Sequence, residues 1–179
     1  MSESRNLIPN PKPLDQGMSY KQVASHEILD GWLRVTGNNT DTGWIMKCWQ
    51  GIDLDINRTT GYQNGVRLAA PGDYVAEIGV HTPEQLRLQF VLILVSDSGE
   101  CIGDPISVNS DTSGTRTMRA DVTVGVPCWL TWLLRANAPT ANAREWGLRR
   151  MTIVSKPDYE RMRERGISWF DGDSIVRGD

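Results

Sequence analysis

The sequence predicts an all-β fold, a sandwich or jelly roll, and two stretches carry that expectation. Leu86, Leu88, Phe90, Leu92 and Leu94 are apolar, with Arg87 and Gln89 between them. Met118, Ala120, Val122, Val124 and Val126 repeat the pattern, with Arg119, Asp121 and Thr123 between. Alternation with a period of two sends successive side chains to opposite faces of a strand, and helical spacing does not fit it. A third observation is punctuation. Ala70-Pro71-Gly72-Asp73, Ser96-Asp97-Ser98-Gly99 and Asp111-Thr112-Ser113-Gly114 read as turns between such segments. Many short strands joined by Gly-, Pro- and Asp-rich turns are the pattern of a sandwich or jelly roll.

The remaining elements follow in chain order. Residues 1–15 read as an extended arm, because the prolines of Asn6-Leu7-Ile8-Pro9-Asn10-Pro11-Lys12-Pro13 cannot donate within a sheet. Residues 16–155 hold the strands. Leu33 and Val35 alternate with Trp32, Arg34 and Thr36 between Gly31 and Gly37, and Ile45 to Ile52 is an aromatic, apolar segment. Tyr74, Ala76, Ile78 and Val80 form one face of the next. Residues 156–179 hold one short helix, started by Pro157-Asp158 and ended by Gly166, with Tyr159 and Met162 as its apolar face. No repeat or composition shift marks a second domain.

Composition removes several function classes. The chain has 179 residues, enough to bury a full core, with 39% hydrophobic and 23% charged residues. A net charge of -3 argues against nucleic-acid binding, which draws on a positive excess. The longest apolar run, Phe90 to Val95, is far below the roughly 20 residues of a membrane span, so no membrane insertion is expected. The polar, Pro-rich N-terminus lacks the form of a secretory signal. Cys48, Cys101 and Cys128 are odd in number and widely spaced, and read as buried free thiols of a protein made in a reducing cytoplasm.

Catalytic chemistry finds little to use. His26 and His81 stand in no nucleophile or acid–base spacing, and neither a nucleophile elbow nor a phosphate-cradling loop is present. The sequence therefore predicts no catalytic residue, no enzyme activity and no cofactor. Asp53, Asp55 and Asn57 mimic the first half of a calcium loop, but Arg58 stands where Gly is needed and Asn64 where Glu is needed. A sheet-borne calcium site stays as the alternative to a polar strand edge. Arg177-Gly178-Asp179 and the two Asn-x-Thr triplets are short chance matches.

The aromatic content is unusual: seven Trp against two Phe. A Trp ring stacks on the apolar face of a sugar while polar neighbours reach its hydroxyls. Trp44, Trp49, Tyr62, Trp129 and Trp132 are the aromatic candidates for such a site, with Arg87, Gln89, Arg119 and Asp121 as polar candidates. The competing reading of each Trp is a core side chain.

Both ends of the chain carry a resemblance. Asn6-Leu7-Ile8-Pro9-Asn10-Pro11 and Gly31-Trp32-Leu33-Arg34-Val35-Thr36-Gly37 resemble the opening of jelly-roll carbohydrate-binding modules, which recur in bacteriophage tail proteins. Ser168-Trp169-Phe170-Asp171-Gly172-Asp173 resembles the W/Y-F-D-G-D signature that closes such domains in minor tail proteins of phages of actinobacteria. Ala70-Pro71-Gly72-Asp73-Tyr74 matches the family's turn before a central strand, and Arg supplies 15 of the 19 basic residues, as in GC-rich genomes. The resemblance implies a carbohydrate-binding-module-like jelly-roll β-sandwich in a non-enzymatic virion protein, made in the host cytoplasm, with the tail favoured over the capsid. It implies contact with host cell-wall glycan and with other virion proteins, as a homo-multimer. Leu7, Ile8, Pro9, Trp169 and Phe170 are then candidates for subunit docking. Trp32 and Trp169, lying inside the two end motifs, read as structural. Related modules hold calcium with an acid before the last core strand; here Arg149-Arg150 stand there, which argues against the ion. Family members usually continue past the signature, whereas this module is expected to stand alone. A second reading keeps the fold without the ligand, a capsid or tail decoration protein that binds only other virion subunits, and a third, more remote, is a glycosidase using two carboxylates.

Overall fold

The computed structural model describes residues 3–4, 7, 19–21, 23–37, 44–51, 60–137, 145–167 and 176–177. The strands are β1 (Glu3–Ser4), β2 (Ser19–Lys21), β3 (Val23–Leu29), β4 (Trp32–Gly37), β5 (Trp44–Gln50), β6 (Val66–Leu68), β7 (Gly72–Val95), β8 (Ile106–Val124), β9 (Cys128–Asn137), β10 (Glu145–Ser155) and β11 (Val176–Arg177). A single helix, α1 (Lys156–Glu164), follows β10, and β1 pairs with β11 near the two ends of the chain.

The strands form a jelly-roll sandwich, all antiparallel, in which one hairpin belongs to both walls. Gly72 to Thr82 of β7 pair with Gly114 to Val124 of β8, and Leu86 to Leu92 pair with Ile106 to Thr112. The first half of β7 also pairs with β10 and the second half with β9, which do not pair with each other. One wall is therefore β2-β5-β9 with the second half of β7, and the other is β3-β4-β10 with the first half. Asp111-Thr112-Ser113-Gly114, expected as a turn, lies inside β8 at the crossing between walls. Its turn chemistry serves a bend: Gly114 has φ 85° and pairs with Thr82, and the register shifts between Thr82 and Leu86 around Pro83, which has no N–H to give. Arg116 clamps the bend, donating to Ser110 Oγ at 2.5 Å, Thr82 Oγ1 at 2.9 Å and the Gly114 carbonyl at 3.0 Å.

Alternation builds the core as the sequence implies. Ala76, Ile78 and Val80 point inward from one half of β7, and Leu88, Phe90 and Leu92 from the other. They meet Met118, Ala120, Val122 and Val124 of β8 and Leu130, Trp132 and Leu134 of β9. Val126, counted with the alternating face, lies past the end of β8 and is 53% exposed. The second half of β7 is buried on both faces, since Val91, Ile93 and Val95 form a separate cluster with Leu133 and Tyr62. In β10 the register breaks between Arg149 and Thr152, and Arg150 takes φ 53°. That extra residue lets Leu148 and Met151 both face the core, and it brings two arginines side by side at the opposite surface.

Asp30 and Gly31, with φ 51° and 74°, close a two-residue hairpin between β3 and β4. Helix α1 has the expected limits in physical terms. Ser155 caps it by accepting from the Asp158 N–H, and Gly166 at φ 69° ends it. Tyr159 and Met162 bury against Val75 and Val154 on the outside of the second wall. The Leu7 N–H donates to the Ile153 carbonyl at 2.8 Å, and its side chain packs on the core. Ile8, Pro9, Trp169, Phe170 and the Asp53-Asp55-Asn57 alternation lie outside the described residues.

Candidate functional site

The outer face of the first wall gathers most of the aromatic candidates. Trp49 pairs with Leu133, and Leu133 with Val91, so an apolar row crosses three strands. Trp49 and Trp129 both pack on that row, half-buried. Trp129 is fastened in place: its indole N–H donates to Asp97 Oδ1 at 2.9 Å, and the Arg67 guanidinium sits 5.3 Å from its ring centre. Tyr62 meets Trp129 edge-on and donates its hydroxyl to the Asp97 carbonyl at 2.7 Å, which makes it a buried strut. Gln89 accepts from Arg135 Nε at 2.6 Å, and Arg87 is exposed two residues earlier on the same face. Trp44 begins β5, opposite Asn137.

Trp132 has no access to a ligand. It is 2% exposed, faces the core beside Phe90, and donates its indole N–H to Gln50 Oε1 at 3.1 Å. The reason is phase: Trp132 shares the inward parity of Leu130 and Leu134. Arg119 and Asp121 belong to the other wall, where they pair at 2.9 Å beside α1. The Asp121 carboxyl is held below its usual range by the hydrogen bond from Arg119. Arg119 also lies 4.5 Å from the Tyr159 ring centre, and Tyr159 donates to Glu77 Oε1 at 2.5 Å. Arg119, paired with Asp121, therefore helps to hold the helix on the sheet.

Beyond the helix, the outer face of the second wall is an open trough. Two clefts of about 240 Å³ each meet there at Thr115. Gly79 of β7 and Gly147 of β10 face outward in adjacent strands and form a floor without side chains. A Cβ on Gly147 would lie 3.3 Å from Trp32 Cε3, and one on Gly79 would lie 3.2 Å from Arg149 Cγ. Trp32 thus leans over Gly147, and the stem of Arg149 lies over Gly79. The Arg149 guanidinium stacks on Trp32, 4.1 Å from the ring centre. His81 completes the group at 5.9 Å from Trp32 and hydrogen-bonds Thr115 through Nδ1 at 3.0 Å. Arg34 and Glu145 line the same cleft.

This arrangement pairs a half-exposed aromatic ring with donors and acceptors around a shallow floor, the chemistry that a sugar ring requires. Trp32, which reads as structural from its end motif, has outward parity in β4, opposite to Leu33 and Val35, and so lines this cleft while packing on Gly147 and Arg149. Arg34, His81 and Arg149 were not singled out as binding residues. Their signal was present in the alternation of β4 and in the two outward glycines, but only strand pairing brings them together. Among the described residues, no group of three or more His, Cys, Asp or Glu side chains gathers where a metal ion could be held. Cys48 and Cys128 are buried and Cys101 is half-buried, all three as free thiols.

By sequence, no family model matches the chain and no curated protein matches it. Solved structures do match by shape. A CBM4 structure is similar over 79% of this chain and 96% of its own, with a TM-score of 0.56 at 10% identity. The N-terminal cellulose-binding domain of Cellulomonas fimi β-1,4-glucanase C is similar over 82% of this chain and 93% of its own, with a TM-score of 0.54 at 12% identity. The CBM22-1–GH10 modules of Clostridium thermocellum xylanase 10B, complexed with xylohexaose, are similar over 87% of this chain and 29% of their own, with a TM-score of 0.53 at 10% identity. At such identities the likeness concerns the fold alone. That fold is the jelly-roll β-sandwich of carbohydrate-binding modules.

Proposed function

We propose that this chain is a non-catalytic, glycan-binding jelly roll carried on a bacteriophage virion, as a tail or tail-tip component that contacts host-surface carbohydrate. The observation that carries the glycan reading is the trough. Trp32 lies half-exposed over a glycine floor, with His81, Arg34, Glu145 and Arg149 around it. The fold of carbohydrate-binding modules supports the same reading. The virion placement rests on the resemblance of the Trp169-Phe170-Asp171-Gly172-Asp173 segment to phage tail domains. A shallow site of this kind binds weakly, so several copies on one particle would multiply its strength.

The test is calorimetric titration of the chain with purified host cell-wall polysaccharide, alongside Trp32→Ala. Binding that Trp32→Ala removes supports the proposal; binding that survives Trp32→Ala, or none at all, refutes it. A second reading, a decoration protein that contacts only virion subunits, draws on one feature. Among the described residues, edge strand β3 pairs only with β4, and it exposes Ile28 at 47% and Leu29 at 41%. Such an edge suits strand addition by a neighbouring subunit.

A further inference from the structure

The trough carries a charge pattern that a neutral sugar does not need. Arg34, Arg116, Arg149 and Arg150 line it, against the carboxylates of Glu77 and Glu145, and of the four arginines Arg116 is engaged by the bend. Glu77 accepts from Tyr159 at the helix side, and Glu145 stands at the first residue of β10. Among the described residues, no ion pair joins Arg34 or Arg149 to a carboxylate. The bulge in β10 sets Arg149 and Arg150 next to each other, with Arg150 at φ 53°, a conformation a non-glycine residue adopts at a cost. Burial lowers the Arg149 pKa, and the charge of Arg150 lowers it further.

Geometry also favours an anion. Arg149 is fixed at both ends of its side chain, by Gly79 under the stem and Trp32 against the guanidinium. A guanidinium keeps all its N–H donors in one plane, where a fork can meet two oxygens of a carboxylate or phosphate. Arg34 faces outward one strand away, opposite Gly147, and the Trp32 indole that leans over this glycine lies between the two cations, so a sugar on the ring would have a guanidinium to either side.

We infer that the trough selects an anionic glycan, in which a sugar packs on the exposed part of Trp32 and a carboxylate or phosphodiester of the same chain is taken by Arg149 and Arg34. This inference rests on the carbohydrate reading and narrows its ligand class. Calorimetric titration of the whole chain with three probes tests it: trigalacturonate, neutral galactotriose, and a short poly(glycerol phosphate). The expected result is that at least one anionic probe binds about tenfold more tightly than galactotriose at low salt, and that the advantage falls several-fold at about 0.5 M NaCl. Which anionic probe binds more tightly identifies the source of the charge. Arg34→Gln should cut the preference to less than about threefold, Arg34→Lys should restore part of it, and Arg165→Gln, a control outside the trough, should leave it intact. Equal binding of neutral and anionic probes, or a preference untouched by Arg34→Gln, overturns the inference while the carbohydrate reading stands. If none of the three probes binds, the inference falls, and the titration with host cell-wall polysaccharide decides the carbohydrate reading separately.

Discussion

Replacing Gly147 by valine should weaken glycan binding at least about tenfold, a loss of about 1.4 kcal/mol, while leaving the protein folded. Gly147 lies within β10 on extended backbone, so a side chain there brings no backbone strain. Filling a strand-interior glycine contributes about 0.5–1 kcal/mol to stability. Against that gain, the new Cβ would stand 3.3 Å from Trp32 Cε3 and 3.6 Å from the Leu33 carbonyl, and the two methyl groups would reach further into the ring. The indole must give way to the new side chain, which loosens its contact with Arg149, now 4.1 Å from its centre. Losing that cation–π contact costs about 0.5–2 kcal/mol. The two terms nearly cancel, and the midpoint of urea unfolding should move by no more than about 1 kcal/mol allows. Binding has no such compensation, because the displaced ring fills the trough and can no longer present its face. Parallel unfolding curves and calorimetric titrations with cell-wall polysaccharide check both halves. Wild-type affinity in a folded Gly147→Val protein would refute the trough as the binding site. A stability loss above about 3 kcal/mol would show that Gly147 is a packing position instead.

Further outcomes follow from the same contacts. Tyr159→Phe removes the 2.5 Å hydrogen bond to Glu77 and should destabilise by about 1.5–3 kcal/mol in urea; no change would mean that apolar contact alone holds the helix. Burial first, and the Glu77 hydrogen bond second, raise the Tyr159 pKa above 10, so the folded state holds that proton more tightly than the unfolded state does. Its contribution is whole below about pH 10 and is lost as pH rises through the folded pKa, so the alkaline decline in stability should be smaller in Tyr159→Phe. Trp132→Phe leaves the Gln50 side chain, 5% exposed, without its donor and should cost about 1–3 kcal/mol beyond lost packing. Combining it with Gln50→Leu should recover part of that loss, and strict additivity would refute the coupling. A thiol reagent should modify Cys101 first, and should reach Cys48 and Cys128 only in denaturant, since burial raises the pKa of both.

Period-two alternation made the inner faces of β7 and β8 legible, because Leu86, Leu88 and Phe90 alternate with Arg87 and Gln89, and Met118, Ala120, Val122 and Val124 with Arg119, Asp121 and Thr123. It failed where burial is two-sided: Val91, Ile93 and Val95 lie under Trp49, Trp129 and Tyr62, which nothing local in the sequence announces. Asp111 to Gly114 misled because a bend between walls and a chain reversal ask for the same residues. Strand β3 passed unnoticed, since its exposed edge has no apolar alternation to display. The aromatic count pointed to a binding surface, but position along the chain could not say which ring faces out. Trp132 turned inward and Trp32 outward, each set by the parity of its strand. The trough itself depends on pairing Gly147 with His81 and Arg34, a relation between residues far apart in sequence.

The crossing hairpin has a mechanical consequence. In a sandwich whose walls are built from separate strands, the two sheets can slide or part as panels. Here β7 and β8 act as a spine shared by both panels, and Arg116 pins the point where that spine turns. Unpeeling one wall must unzip strands that the other wall also needs, so the described sheets should melt as one unit, with the slowest amide exchange along the inner positions of β7. A ligand lying in the trough would meet a rigid panel, shaped before it arrives, and would have little ordering entropy to offset.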